Sequence, residues 1–147
     1  MRIFLAGAAG AIGRRLVPLL LRAGHEVTGT TRSAATASEL ARAGVVPAVL
    51  DVFDARAVTA AVSAAKPAVV IHQLTDLPRQ FDAARIAASY PKNARIRIEG
   101  TRNLIAGGAG RRGGPLHRAN RLNVSMRARE ASGQALSAGF CRFGALY

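Results

Sequence analysis

The chain has 147 residues, half of them hydrophobic, and a formal net charge of +13. That length suits one domain with a sizeable core, and the lone Cys141 excludes an internal disulfide. No apolar run approaches the roughly 18 to 20 residues that span a membrane, so a membrane partner is excluded from the expectation.

"RIFLA", Arg2 to Ala6, predicts a short buried strand. A basic residue followed by apolar ones also opens a signal peptide, but the segment turns glycine-rich too soon for one. After the glycines, "AIGRRLVPLLLRAG" predicts a helix with Ile12, Leu16, Leu19, Leu20 and Ala23 recurring at helical spacing. Pro18 is placed in its first turns, where a missing N–H costs least, and Gly24 stops it. "EVTGTTR", Glu26 to Arg32, is a second strand, and "AATASELARAG" a short helix ending at Gly44.

"VVPAVLDV" predicts a third strand. A third helix covers Asp54 to Ala65, with Asp54 as its N-cap. "PAVVIHQL" predicts a fourth strand, and the polar loop "TDLPRQFD" leads into a mixed segment. From about Asn93 another helix is expected, with Ile96, Gly100, Leu104 and Ile105 on one face. Strand and helix thus alternate four times, the pattern of a parallel sheet covered by helices on both faces. The predicted class is α/β, a Rossmann-like doubly wound parallel sheet truncated after about four strands.

The segment "GAAGAIG", Gly7 to Gly13, fits G-x-x-G-x-x-G. The first glycine permits the tight turn out of the strand. The second lets a pyrophosphate approach the backbone, and the third lets helix pack closely on strand. An anion then rests on the helix N-terminus, where free N–H groups and the dipole favour it. The glycines follow a strand and open a helix, which is the context this motif needs.

The same segment resembles the short-chain dehydrogenase/reductase superfamily, in its extended branch of sugar-nucleotide epimerases, dehydratases and reductases. Three later stretches share the resemblance: "LDVFD", "VVIHQL" and "EGTRNLIA", the last with Arg97 where the family's helix usually has Asn. It covers residues 1–106. It implies an NAD(P)-binding domain, with cofactor contacts at Gly7, Ala9, Gly10, Ala11, Ile12 and Gly13. Asp51 and Val52 would border the adenine. His72, Gln73 and Leu74 would lie at the fourth strand end beside the nicotinamide-side ribose. Asp51 can equally be a strand-end turn residue, and His72 a hydrogen-bonded structural one.

Arg32 ends the second strand, and no acid occupies Gly29 to Ser33. In dinucleotide sites an acid there bonds the ribose hydroxyls, whereas an Arg accommodates a 2′-phosphate. NADP is therefore expected over NAD. The alternative is a solvent-facing Arg after a strand.

The resemblance also implies a catalytic Tyr-x-x-x-Lys pair, and the sequence has none. Lys66 and Lys92 are its two lysines, and Tyr90 precedes Lys92 by two residues in a Pro-broken segment. No catalytic residue is assigned. No metal cluster is expected either, since His25, His72 and His117 are scattered.

After Ala106 the composition changes: residues 107–147 hold 8 of the 15 glycines and 7 of the 21 basic residues. Residues 107–119, written as codons and read one base later, can give "AARAAGAARFIAQ", a helix end and the start of a strand. A Gly/Arg-rich tail, frameshifted or poorly ordered, is the expectation for 107–147. The chain then reads as the NADP-binding portion of an epimerase- or reductase-like oxidoreductase, without catalytic activity alone. A non-catalytic NADP-binding sensor is the alternative, and a basic nucleic-acid-binding protein is a third, disfavoured by the lack of aromatic interleaving. The substrate and oligomeric state are open, and cysteine usage points to the cytoplasm.

Overall fold

In the computed structural model, residues 1–78 and 82–109 are described. The first strand, β1 (Arg2–Ala6), lies between β2 (Glu26–Thr31) and β4 (Val69–His72), and β3 (Val46–Val49) pairs with the outer side of β2. The order β3-β2-β1-β4 is parallel throughout. Leu5 stands beside Gly29 and Ile71, and Ala6 beside His72, so β1 and β4 end level with each other at the glycine loop. A strand buried on both faces needs continuous apolar residues; Phe4, Leu5 and Ala6 are fully buried.

Two clusters cover the two faces of the sheet. Phe4, Ala6, Val52, Val58, Val62 and Leu104 pack on one side, where helix α3 (Ala55–Ala65) and helix α5 (Thr101–Ala109) lie. Leu5, Ala8, Val17, Val27, Leu40 and Val45 pack on the other, under α1 (Ala11–Arg22) and α2 (Ala34–Arg42). The α/β doubly wound class is therefore as expected, with four strands among the described residues. Residues 110–147 lie outside them, and with them nearly all of the expected tail; α5 itself runs on to Ala109.

Helix α1 presents a different face from the one its periodicity predicts. Gly13 and Val17 are buried, with Leu16, Leu20 and Leu21 flanking, while Ile12 and Leu19 are 48% and 55% exposed. The apolar residues outnumber the places the sheet offers. The choice falls to Gly13, because only a residue without Cβ fits where the helix touches the loop. Pro18 is also mid-helix rather than in the first turns. It sits on the exposed side, where water can satisfy the Arg14 carbonyl that Pro leaves without a partner.

Three caps are as the chemistry of their residues dictates. Ser33 accepts from the Thr36 amide, Asp54 from the Arg56 and Ala57 amides, and Asp82 from the Arg85 amide. The last of these opens α4 (Ala83–Arg95), which the expected mixed segment does not contain. Pro91 argues against a helix locally, yet it lies inside this one. The Ser89 hydroxyl donates to the Ile86 carbonyl at 2.7 Å, a local side-chain-to-backbone bond in the turn before the proline. A π-helical turn, Ile96–Gly100, joins α4 to α5. Ile96, Gly100 and Leu104 line the buried face as expected, but Ile105 is 43% exposed; buried Asn103 flanks Leu104 in its place.

Candidate functional site: a glycine loop at the strand ends

The site begins where β1 stops. Gly7 takes a φ of +97°, a backbone that only glycine adopts without strain. A Cβ on Gly7 would lie 2.8 Å from the Gln73 carbonyl carbon and oxygen, so the loop and the β4 end touch through backbone. A Cβ on Gly13 would lie 2.2 Å from the Gly7 oxygen. Gly10 is less crowded, with 3.3 Å to the same oxygen. The Gly10 amide donates to the Gly7 carbonyl at 3.0 Å, closing the turn.

Several contacts that no local pattern announces fix the loop. The buried Thr30 hydroxyl accepts from the Gly7 amide at 3.1 Å. Gly29 has no Cβ to meet Ala8, whose own Cβ would otherwise be 2.6 Å away. The Arg14 Nε donates to the Ala9 carbonyl at 3.0 Å, and its guanidinium pairs with Glu39 at 3.6 Å.

The opening of α1 is a fit for phosphate. Gly10 precedes it in extended backbone, no side chain caps it, and its first turn has no acid. Helices α2, α3 and α4 each have a side-chain cap. The first amides of α1 therefore keep their donors for an anion, and Gly10, Ala11 and Ile12 are exposed beside them while Ala9 is half-buried.

The other expected residues fall around the same edge of the sheet. Gln73 donates its amide to the Ala6 carbonyl at 2.8 Å, and Leu74 follows it against the Phe4–Val58 cluster. Asp51 lies beyond the end of β3; its carboxylate accepts from the Phe53 amide at 3.0 Å and its carbonyl from the Asp54 amide. Val52 is buried, and its carbonyl accepts from Asn103 Nδ2 at 2.8 Å. His72 Nδ1 lies 3.2 Å from the Thr101 hydroxyl, and Nε2 is buried with no partner among the described residues. Burial, helped by the Arg97 charge, holds its imidazole below its ordinary pKa. Arg32 is exposed just after β2, with its guanidinium 4.0 Å from Asp76 in the loop after β4. No cluster of three metal-ligating side chains exists among the described residues.

This geometry has relatives. The family model described as NAD(P)H-binding matches residues 7–111. The chain belongs to the NAD(P)H-binding family. A 3-diazoavenalumate denitrifying reductase from Streptomyces is 44% identical over 105 residues, 71% of this chain and 33% of that protein. The Bordetella bronchiseptica enzyme WbmG, solved with NAD and UDP, is 28% identical at a TM-score of 0.53, over 73% of this chain and 33% of its own. The yeast methylglyoxal/isovaleraldehyde reductase Gre2, solved with NADPH, shares the fold at 22% identity and a TM-score of 0.58, over 73% of this chain and 32% of its own. The chain thus spans about a third of the length of these relatives.

The resemblance to the extended short-chain dehydrogenase/reductase branch holds for this NAD(P)H-binding domain, which is similar to part of a reductase and to part of a Burkholderia cenocepacia protein described as an epimerase. No described helix is long and apolar enough to cross a membrane.

Proposed function

We propose that the chain binds NADP(H) in preference to NAD(H), with the pyrophosphate on the Gly7–Gly13 loop and the 2′-phosphate on Arg32. Arg32 carries the reading: it follows β2, the strand whose end meets the ribose in such folds, and no acid stands from Gly29 to Ser33. The remaining contacts are Ala9, Ala11 and Ile12 at the phosphates, Asp51 and Val52 towards the adenine, and Gln73 and Leu74 at the β4 end. When bound, the cofactor supplies hydride chemistry; the chain's residues bind and orient it.

The chain holds the cofactor better than it turns it over. Its sequence has no Tyr-x-x-x-Lys pair to act as general acid or base. Tyr90 and Lys92 do not supply one, since they stand two apart on α4. A charge-assisted contact to the 2′-phosphate is worth about 1.5–3 kcal/mol, or roughly tenfold to a hundredfold in affinity. Fluorescence titration of both reduced cofactors tests this. Equal affinities, or an Arg32→Ala variant with unchanged preference, overturn it. Steady-state NADPH oxidation with aldehydes, ketones and nucleotide sugars should stay at background.

The proposal for residues 107–147 is a frameshifted reading of a longer gene, supported by the change of composition after Ala106. Sequencing the locus decides it: an early stop in the +1 frame ends the idea.

A further inference from the structure

Three charged side chains from three different elements meet beside Arg32. Asp76, in the loop after β4, faces Lys92 Nζ at 2.9 Å through one carboxylate oxygen and Arg32 Nη2 at 4.0 Å through the other. Lys92 stands in the last turn of α4. Asp76 is two-thirds buried, while both cations are at least half exposed.

The position of Asp76 does not depend on its carboxylate. Its amide donates to Asn93 Oδ1 at 2.9 Å, and Asn93 Nδ2 donates to the Asp76 carbonyl at 3.3 Å and to the Ser89 carbonyl at 2.9 Å. Asn93 is buried, so this two-way backbone clamp fixes the loop against α4. The carboxylate is then left with one evident task, to hold two cations close to each other.

We propose that Lys92 is a second specificity residue for the 2′-phosphate of NADP(H), forming with Arg32 a two-cation clamp that Asp76 occupies as a competing counter-ion until the phosphate arrives. This rests on the reading of Arg32 given above. A 2′-phosphate carries nearly two negative charges and three acceptor oxygens. Arg32 offers it a planar fork and Lys92 a point charge, the pair of donors that phosphate recognition uses. Half-exposed ion pairs such as those to Asp76 are weak, so the phosphate can take over both cations. A ribose without the phosphate draws no such exchange, because it brings no anion to compete with Asp76 for the two cations. The same carboxylate then stands near the bound phosphate and repels it. Lys92 and Asp76 therefore act in opposite directions on NADPH and leave NADH alone.

The test is fluorescence titration of the full chain with NADPH and NADH, for wild type and for Arg32→Ala, Lys92→Gln, Lys92→Arg and Asp76→Asn. Lys92→Gln should weaken NADPH binding about tenfold, as loss of one charge-assisted contact does, with NADH unchanged. Lys92→Arg should restore it. Asp76→Asn should strengthen NADPH binding several-fold by removing the like charge, since the Asn93 clamp uses only the backbone of residue 76. Thermal unfolding of each variant confirms that the fold is kept. Lys92→Gln with an unchanged NADPH-to-NADH ratio overturns the clamp, provided Arg32→Ala lowers that ratio. Asp76→Asn that weakens NADH also overturns it, because Asp76 would then be a partner of the ribose hydroxyls. If Arg32→Ala leaves the ratio unchanged as well, the NADP reading itself fails, and the clamp falls with it.

Discussion

The buried hydroxyl of Thr30 accepts a hydrogen bond from the Gly7 amide at 3.1 Å. Strand β2 thereby sets the position of the first glycine in a loop that grows out of β1. Thr30→Val keeps the shape of the side chain and removes the acceptor. The Gly7 amide is then buried without a partner, which costs about 1–3 kcal/mol. Urea unfolding should show that loss together with weaker cofactor binding. An unchanged midpoint would show that the loop is held by other contacts.

Gly13→Ala should abolish NADPH binding. Its new Cβ would lie 2.2 Å from the Gly7 oxygen and 2.5 Å from the Ala8 oxygen, both backbone atoms that cannot turn aside. Either α1 moves off the sheet or the loop opens, and both displace the phosphate donors. Gly24→Ala is the comparison. It strains a φ of +74° in open space at the far end of α1, so it should reduce stability but leave affinity unchanged. Equal losses of affinity in the two variants would show that the effect is global.

His72 makes stability depend on pH. Burial, with the Arg97 charge second, lowers its pKa in the fold below the ordinary 6.5. In the window between those two values the unfolded chain binds more protons than the native one, so stability rises with pH there. The His72 contribution is full above about pH 6.5 and is lost as pH falls towards the lowered value. His72→Asn, which can keep a polar atom near Thr101, should flatten that part of the curve. The measurement is the difference between wild-type and variant unfolding free energies from pH 7.5 to pH 5, which cancels the other histidines. A constant difference would mean that His72 keeps its ordinary pKa.

Much of this fold can be read along the chain, because β1, β3 and β4 are short apolar runs and most breaks carry a glycine or a capping side chain. Asp54 illustrates this: a cap is a contact over two or three residues, and its chemistry is visible in the sequence. The glycine loop is legible for the same reason. Thr30, Asn93 and Asn103 are not legible, since their partners Gly7, Asp76 and Val52 lie 23, 17 and 51 residues away. Helix α4 is hidden by Pro91, which local propensity counts against a helix although it lies inside this one. The face of α1 is misread because periodicity weighs Ile12 and Leu19 above Gly13, while close packing on the loop selects the smallest residue.

The two glycines near the end of α5 should respond in opposite ways to alanine. Each lies within Thr101–Ala109, where glycine costs roughly 0.5–1 kcal/mol relative to alanine through its backbone entropy. At Gly108 nothing lies within 4 Å of an added Cβ, so Gly108→Ala should recover that amount and raise the unfolding midpoint. At Gly107 the Cβ would meet Val62 at 3.1 and 3.2 Å and the Thr59 Cα at 3.3 Å. Val62 is buried in the core of α3, and the Thr59 atom is backbone, so neither yields easily. Gly107→Ala therefore sets the entropic gain against overpacking, which typically costs about 1–3 kcal/mol, and should come out neutral or destabilising. The pair is measured by urea unfolding of the full chain. Equal stabilisation in both variants would mean that α5 does not pack on α3 at Gly107. The face of the sheet under α3 and α5 would then be covered less closely than the Val62–Leu104 cluster requires.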